Sequence, residues 1–190
     1  MNEQELIHDL RQANEAAFRK LVDDYRNRVF STVFNILQNN EEAEDVAQET
    51  FIKVFESIHS FKGESSLSTW IYRIAVRKAL EKIRKKNSRQ RLYKILPWWM
   101  PEEKKSSEAL FLHPGLAAEH KEKAAILFEA IRSLPEKQQL AFTLLKVQGM
   151  NYEEACAIMQ LSVKAVESLM SRAKVNLQKK LEHYYNTLKQ

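Results

Sequence analysis

Apolar residues recur at three- and four-residue spacing along almost all of this 190-residue chain, and no stretch alternates with the period of two that a strand requires. Only 3 glycines and 4 prolines are available to interrupt those stripes. The pattern therefore predicts an all-α protein. Leu6, Ile7 and Leu10 give a short first helix that is interrupted near Asn14. A longer helix follows, with Phe18, Leu21, Val22, Tyr25, Val29, Val33 and Phe34 on or near one stripe. In the turn QNNEE, Asn40 is placed to cap a third helix, with acids in its first turn where the helix dipole favours them. That helix is expected to run to about Ser57. Gly63 breaks the pattern, and a fourth helix containing Trp70 is expected to end near Lys86, closing a first domain over residues 1–90.

From Arg91 to His120 the periodicity fails, and the stretch holds three of the four prolines together with Trp98 and Trp99. It reads as a flexible linker, residues 91–120. The two tryptophans could pack on a domain or dock a partner. Residues 121–190 read as a second domain of four helices, with Pro135 in the first turn of the second helix and Gly149 at its C-terminal end. The expected architecture is two small helical domains on a tether.

Several classes are excluded at this level. A chain with 44% hydrophobic and 29% charged residues is folded rather than disordered. No apolar run reaches bilayer length, and the N-terminal MNEQELIHDLRQ is acidic where a signal peptide would be basic, so a cytoplasmic protein with no membrane insertion of its own is expected. The single Cys156 excludes an internal disulfide and fits a reducing compartment. The five histidines are scattered, no metal-ligand spacing occurs and no glycine loop could cradle a phosphate. No catalytic residue, metal or cofactor is expected.

Charge is sorted along the chain. Residues 71–95 carry ten Lys/Arg against Glu81 alone, a net of +9, and residues 38–56 carry six acids against Lys53, a net of −5. Patches of opposite sign suggest two partners, or two surfaces of one partner. On the acidic helix, Ala43, Val46, Ala47, Thr50, Val54 and Ile58 cluster on one side and should face the core. Asp45, Gln48, Glu49, Ile52 and Glu56 fall on the other, with Phe51 and Phe55 at its margins. An isoleucine amid acids suits docking onto another protein's basic helices, although a solvated face with one stray apolar residue is the plainer reading.

The stretch FKGESSLSTWIYRIAVRKALEKIRKK, residues 61–86, sets a hydroxyl-rich aromatic loop before a basic helix. Lys62, Arg73, Arg77, Lys78 and Arg84 supply charge for a phosphate backbone. Ser65, Ser66, Ser68 and Thr69 offer hydroxyls to base edges, and Phe61, Trp70 and Tyr72 offer ring faces to unpaired bases. For Trp70, anchoring the loop to the core is the favoured reading over direct stacking. Further on, NYEEACAIMQLSVKAVESLMSRAK has the layout of a helix-turn-helix. Cys156 is small where the helices approach, Leu161 is apolar in the turn, and Val166 with Leu169 or Met170 faces inward. Ser162 is placed as the N-cap of the second helix, whose other face presents Lys164, Glu167, Ser168, Ser171, Arg172 and Lys174 to a major groove. An ordinary helical hairpin would have the same inward pattern.

Together, the segments AFRKLVDDYRNRVF, EDVAQETFIKVF, FKGESSLSTWIYRIAVRKALEKIRK and LPEKQQLAFTLLKVQGMNYEEACAIM, in this order, resemble a sigma factor of bacterial RNA polymerase. The likeness is to the extracytoplasmic-function group, which keeps only the second and fourth sigma domains. The resemblance implies that Asp45, Gln48, Glu49, Ile52 and Phe55 bind the core polymerase. It implies that the loop and helix of residues 61–86 recognise the −10 promoter element with a base flipped out of the non-template strand. It further implies that the helix-turn-helix reads the −35 element as duplex DNA, and that an anti-sigma factor holds the protein inactive. Glu167 and Leu169 stand where the family often has basic residues, and Gln160 replaces a frequent turn glycine. The alternative is a dimeric helix-turn-helix regulator whose first domain is a sensor; it would leave the acidic face and the hydroxyl loop without a purpose. An RNA-binding protein would leave the helix-turn-helix unexplained.

Overall fold

The computed structural model describes residues 2–95 and 118–187. Trp98 and Trp99 lie outside them. All regular structure among the described residues is helical: α1 (Glu3–Arg11), α2 (Glu15–Leu37), α3 (Asn40–Ser57), a 3₁₀ turn (Ile58–Ser60), α4 (Leu67–Ile95), α5 (Ala118–Arg132), α6 (Glu136–Phe142), a π-helical turn (Thr143–Val147), α7 (Tyr152–Met159) and α8 (Val163–Thr187). No helix of the described residues is long and apolar enough to cross a membrane.

The helix boundaries follow from side-chain capping. Asn2 and Glu5 form a reciprocal capping box on α1, and Asn14 accepts from Ala16 and Ala17 at the start of α2. Asn39, not Asn40, caps α3: its side chain accepts from the Glu42 amide at 2.7 Å, which requires the extended backbone that Asn39 has and Asn40 lacks. Gly63 takes the left-handed conformation (φ 75°) that stops the chain before α4. Helix α4 runs beyond Lys86 to Ile95, because residues 87–95 contain neither glycine nor proline and Pro97 is the first breaker. Pro135 precedes α6 as its cap residue, with extended backbone, rather than lying in its first turn.

Helices α1 to α4 pack around Leu10, Leu21, Val29, Val33, Val46, Val54, Leu67 and Ile71, all essentially without solvent contact. Each such side chain contributes about 1.5–3 kcal/mol through burial. Thr50 is also fully buried; its hydroxyl bonds the Val46 carbonyl at 2.7 Å, so it costs little. Phe51, expected at the margin of the acidic face, is buried, because the helix turns it toward the core beside Ala47 and Val54. In the second unit Ile131, Leu134, Ala173 and Leu177 form a small cluster. The residues Leu144, Met150, Ile158, Val166 and Met170 join the first unit's core instead. The two helical units are therefore packed together, α7 against α4 and the π turn against α2.

Candidate nucleic-acid and partner interfaces

Helices α3 and α4 lie side by side, and their charges meet. Lys78 Nζ is 2.9 Å from Glu49 Oε2, Lys82 Nζ is 3.6 Å from Asp45 Oδ2, and Lys86 Nζ is 3.0 Å from Glu42 Oε1. Acids and bases recur along the two helices so that these pairs form a ladder. The acidic and basic patches thus do not stand apart, as their separation in sequence suggested; antiparallel packing of two neighbouring helices brings them into register. The Lys78 ammonium, bonded to Glu49, holds that carboxyl below its ordinary range against the opposing effect of burial. Arg77 pairs with Glu81 one turn on, at 3.1 Å.

On the outer face of α3, Asp45, Gln48 and Glu49 are exposed, Ile52 is 58% exposed and Phe55 is 42% exposed. Phe55 leans edge-on to Phe18 with ring centres 5.1 Å apart. The face is an apolar ridge rimmed by acids whose outward atoms remain open to a partner.

The hydroxyl loop is partly a helix cap. Ser66 Oγ accepts from the Thr69 amide at 3.2 Å and lies 2.9 Å from both Ser68 Oγ and Thr69 Oγ1. Thr69 is buried, contrary to its expected role as an open hydroxyl, because the first turn of α4 faces α7 and not solvent. Ser65 and Ser68 are half-buried, Ser66 and Lys62 are exposed, and Arg73 is half-buried with no partner for its Nε. Trp70 is half-buried with its ring 5.2 Å from that of Phe61, so it anchors the loop. Tyr72 is buried below the Arg28 guanidinium (5.8 Å from the ring centre), and its hydroxyl has no hydrogen-bond partner. Burial raises its pKa.

In the second unit, Tyr152–Met159 and a helix from Val163 are joined by a turn in which Gln160 adopts the left-handed conformation, φ 54° and ψ 45°. The backbone amide of Gln160 donates to the Cys156 carbonyl. Asn151 and Glu154 make a second capping box, a signal readable in NYEE. Ser162 Oγ accepts from the Ala165 amide at 3.4 Å. Val166 and Met170 point inward and are buried, while Leu169 is half-exposed. Cys156, small where the two helices approach, is half-buried; burial and then Glu167 raise its thiol pKa. Ser162, Lys164, Glu167, Ser168, Ser171, Arg172 and Lys174 are all exposed. Arg172 is folded back on its own helix, bonding Ser168 Oγ at 2.9 Å.

Residues 21–89 match the family model for Sigma-70 region 2, and residues 124–177 match that for Sigma-70, region 4. The "ECF RNA polymerase sigma-E factor" of Haemophilus influenzae is 32% identical over 188 residues, covering 96% of each chain. This chain belongs to the extracytoplasmic-function (ECF) sigma factors. It is therefore a transcription initiation factor of RNA polymerase. Two solved structures share its fold: CnrH in complex with the cytosolic domain of CnrY (TM-score 0.67, 21% identity, 95% of this chain and 97% of that one) and the Bartonella quintana sigma factor RpoE in complex with the anti-sigma factor NepR (TM-score 0.63, 21% identity, 87% and 96%).

Contacts that the sequence alone did not suggest tie the sigma factor's two units together. Arg84 binds Glu136 through two bonds, Nη2–Oε1 at 2.6 Å and Nε–Oε2 at 3.3 Å, which raises the guanidinium pKa further. Three glutamine amides donate across the seam: Gln38 to the Phe128 carbonyl (3.0 Å), Gln139 to the Ile36 carbonyl (3.1 Å) and Gln148 to Ser31 Oγ (3.2 Å). Among the described residues there is no cluster of three or more metal-ligating side chains.

Proposed function

We propose that this sigma factor docks core polymerase through the exposed face of α3, using Asp45, Gln48, Glu49, Ile52 and Phe55, and works in the cytoplasm. The observation that carries this reading is the 58% exposure of Ile52 among carboxylates. Such an apolar centre with a charged rim is the anatomy of a protein interface. The test is co-elution of the purified protein with bacterial core polymerase, wild type against Ile52→Asp. An exposed substitution leaves folding within about 0.5 kcal/mol. Binding is expected to be lost; an unchanged affinity overturns the assignment of this face.

The −10 element is read by the loop and α4. Lys62, Ser65, Ser66 and Ser68 meet the unpaired base, with Thr69 and Trp70 holding the loop in shape, and Arg73, Arg77, Lys78 and Arg84 track the strand. The −35 duplex is read by the outer face of α8 from Ser162 to Lys174, where Lys164, Glu167, Ser168, Ser171, Arg172 and Lys174 lie on one exposed side. Small hydroxyls and one carboxylate in that row suit base edges, and the basic groups suit phosphates. No catalytic group is assigned, since the polymerase performs the chemistry. An anti-sigma factor is the expected regulator, in keeping with the structural neighbour RpoE of Bartonella quintana, which was solved in complex with the anti-sigma factor NepR. Run-off transcription from promoters selected by the reconstituted holoenzyme tests the promoter assignments together.

A further inference from the structure

We propose that helix α1 is a positioning element for promoter recognition: Arg11 and Glu3 clip the two ends of the hydroxyl loop and hold it in the shape that reads an unpaired base. This rests on the reading of the loop and α4 as the −10 interface. The loop stands out between two buried residues, Phe61 and Leu67. Both are held from α1. Arg11 Nη2 donates to the Phe61 carbonyl at 2.7 Å, and Glu3 Oε1 accepts from the Leu67 amide at 3.3 Å. Each bond joins a charged side chain to a backbone group, which makes it stronger than a neutral pair. Glu3 and Arg11 are the first and last residues of α1, about 12 Å apart along its axis at 1.5 Å per residue. The helix between them is itself fixed, with Leu6 and Leu10 buried in the core and the Asn2–Glu5 capping box at its start. It is a short rigid bar with a clamp at each end.

Little else ties the loop down. Among the described residues, no hydrogen bond links Lys62, Gly63 or Glu64 to another element. Gly63 has open space where a Cβ would stand, so nothing packs the turn in place. The Ser66 hydroxyl fixes the C-terminal end of the loop to the first turn of α4, and the Phe61 ring leans on Trp70. The Phe61 carbonyl, where the chain enters the loop, is held by Arg11. Hydrogen bonds to base edges tolerate displacements of only about 0.5 Å, so a loop released at either end stops distinguishing bases. Phosphate contacts are less exacting and come from Arg73, Arg77, Lys78 and Arg84, which are mounted on α4 and not on the loop. Loss of the clip should therefore cost specificity and spare general strand affinity. Neither Arg11 nor Glu3 touches the strand in this arrangement; both act through the loop backbone.

The test uses holoenzyme reconstituted from the full chain and bacterial core polymerase. The probe is a fluorescent single-stranded oligonucleotide carrying a −10 sequence recovered by promoter selection, beside a set in which each base is replaced in turn. Wild type is compared with Arg11→Met and Glu3→Ala, with the conservative Arg11→Lys and Glu3→Gln, and with Lys146→Met, an exposed control for lost charge. Arg11→Met and Glu3→Ala are expected to bind the matched strand three- to tenfold more weakly while substituted strands stay within twofold, so base discrimination falls by the same factor. Arg11→Lys keeps a donor and Glu3→Gln keeps an acceptor, and both should recover most of it. Co-elution with core polymerase should be unchanged throughout. In the free protein, hydrogen exchange at the Leu67 amide should quicken in Glu3→Ala and stay near wild type in Glu3→Gln, a readout of the clip independent of DNA. Should Arg11→Met fail to fold, the Glu3 pair carries the same comparison. Discrimination unchanged in the clip variants, or weakening equal on all strands, overturns the positioning role and leaves the −10 reading intact. A wild-type holoenzyme that binds matched and substituted strands alike removes that reading and the clip's purpose with it.

Discussion

Replacing Glu49 by lysine separates two roles that the structure superimposes on one side chain. The carboxylate faces solvent on the proposed polymerase surface, and it also closes the first rung of the ladder to α4, 2.9 Å from Lys78. Exposed pairs of this kind contribute about 0.2–1 kcal/mol, and reversal replaces attraction by a repulsion of similar size. Lys82 and Lys85 also act on this position, so Glu49→Lys is expected to cost about 1–2 kcal/mol in all. For a chain of this length that is a fall of about 2–8 °C in melting temperature. Lys78→Glu should cost a similar amount, and the swap Glu49→Lys/Lys78→Glu should recover most of it by rebuilding the rung with its ends exchanged. Core polymerase affinity should behave differently: reduced about 10–100-fold by Glu49→Lys, or about 1.4–2.8 kcal/mol, and not recovered in the swap. The assay is a double-mutant cycle read twice, by thermal melt and by polymerase titration. If affinity returns along with stability, Glu49 acts only as a strut for α4 and the polymerase assignment at that position is refuted. Acid gives an internal check. Because the folded carboxyl titrates below its ordinary value, the rung's contribution is present above the ordinary carboxylate range and disappears as pH falls through the lowered value. The coupling in the cycle should vanish there.

Gln160→Gly should raise stability by up to about 1 kcal/mol in thermal melts, since relief of left-handed backbone strain exceeds the added freedom of the unfolded chain. Met170→Ala empties a fully packed site under the helix-turn-helix and should cost about 2–5 kcal/mol by denaturant titration, with loss of duplex binding at temperatures where α8 loosens. Arg172→Ala should weaken binding to the cognate −35 duplex by about 1–3 kcal/mol in anisotropy titrations, and a loss uniform over all sequences would make it a phosphate contact. Raising the pH above 10 should weaken the protein, because Tyr72 and Tyr25, both raised by burial, hold their protons more tightly folded than unfolded; stability is unaffected below the unfolded value and falls as pH climbs toward the folded ones, a fall that Tyr72→Phe should lessen and Tyr25→Phe with it should lessen further.

The helices were legible because their signals are local. Apolar spacing placed α1 to α3 and the helix-turn-helix, and an exposed Ile52 is an irregularity visible in its own helix. Capping was readable to within a residue, with Asn39 taking the place expected of Asn40. The burial of Thr69 and Phe51 was not legible, because a hydroxyl before a helix can be a cap, a ligand or a core group according to what packs over it. Only tertiary structure says that α7 does. The seam was hidden for the same reason. Gln38, Gln139 and Gln148 have the polarity of surface residues, and nothing within three or four positions of any of them marks a partner about a hundred residues away.

The net charge of α4 overstates its free positive surface. The stretch from Ile71 has a strong positive excess, but five of its bases, Arg77, Lys78, Lys82, Arg84 and Lys86, already meet carboxylates in the folded chain. A strand binding to α4 must either share those cations with their acids or displace the acids. The affinity of a single strand depends on salt with a slope of about −0.7 per phosphate neutralised. Cations that exchange a carboxylate for a phosphate release fewer counterions than free ones. The sigma factor alone should therefore show a shallower salt slope on single-stranded DNA than its basic residues imply. If polymerase docks on the α3 face as proposed, the holoenzyme should steepen it, since Asp45 and Glu49 would then turn toward the polymerase and free Lys78 and Lys82. Equal slopes for free protein and holoenzyme, after subtracting that of core alone, would mean that the ladder stays closed when polymerase binds.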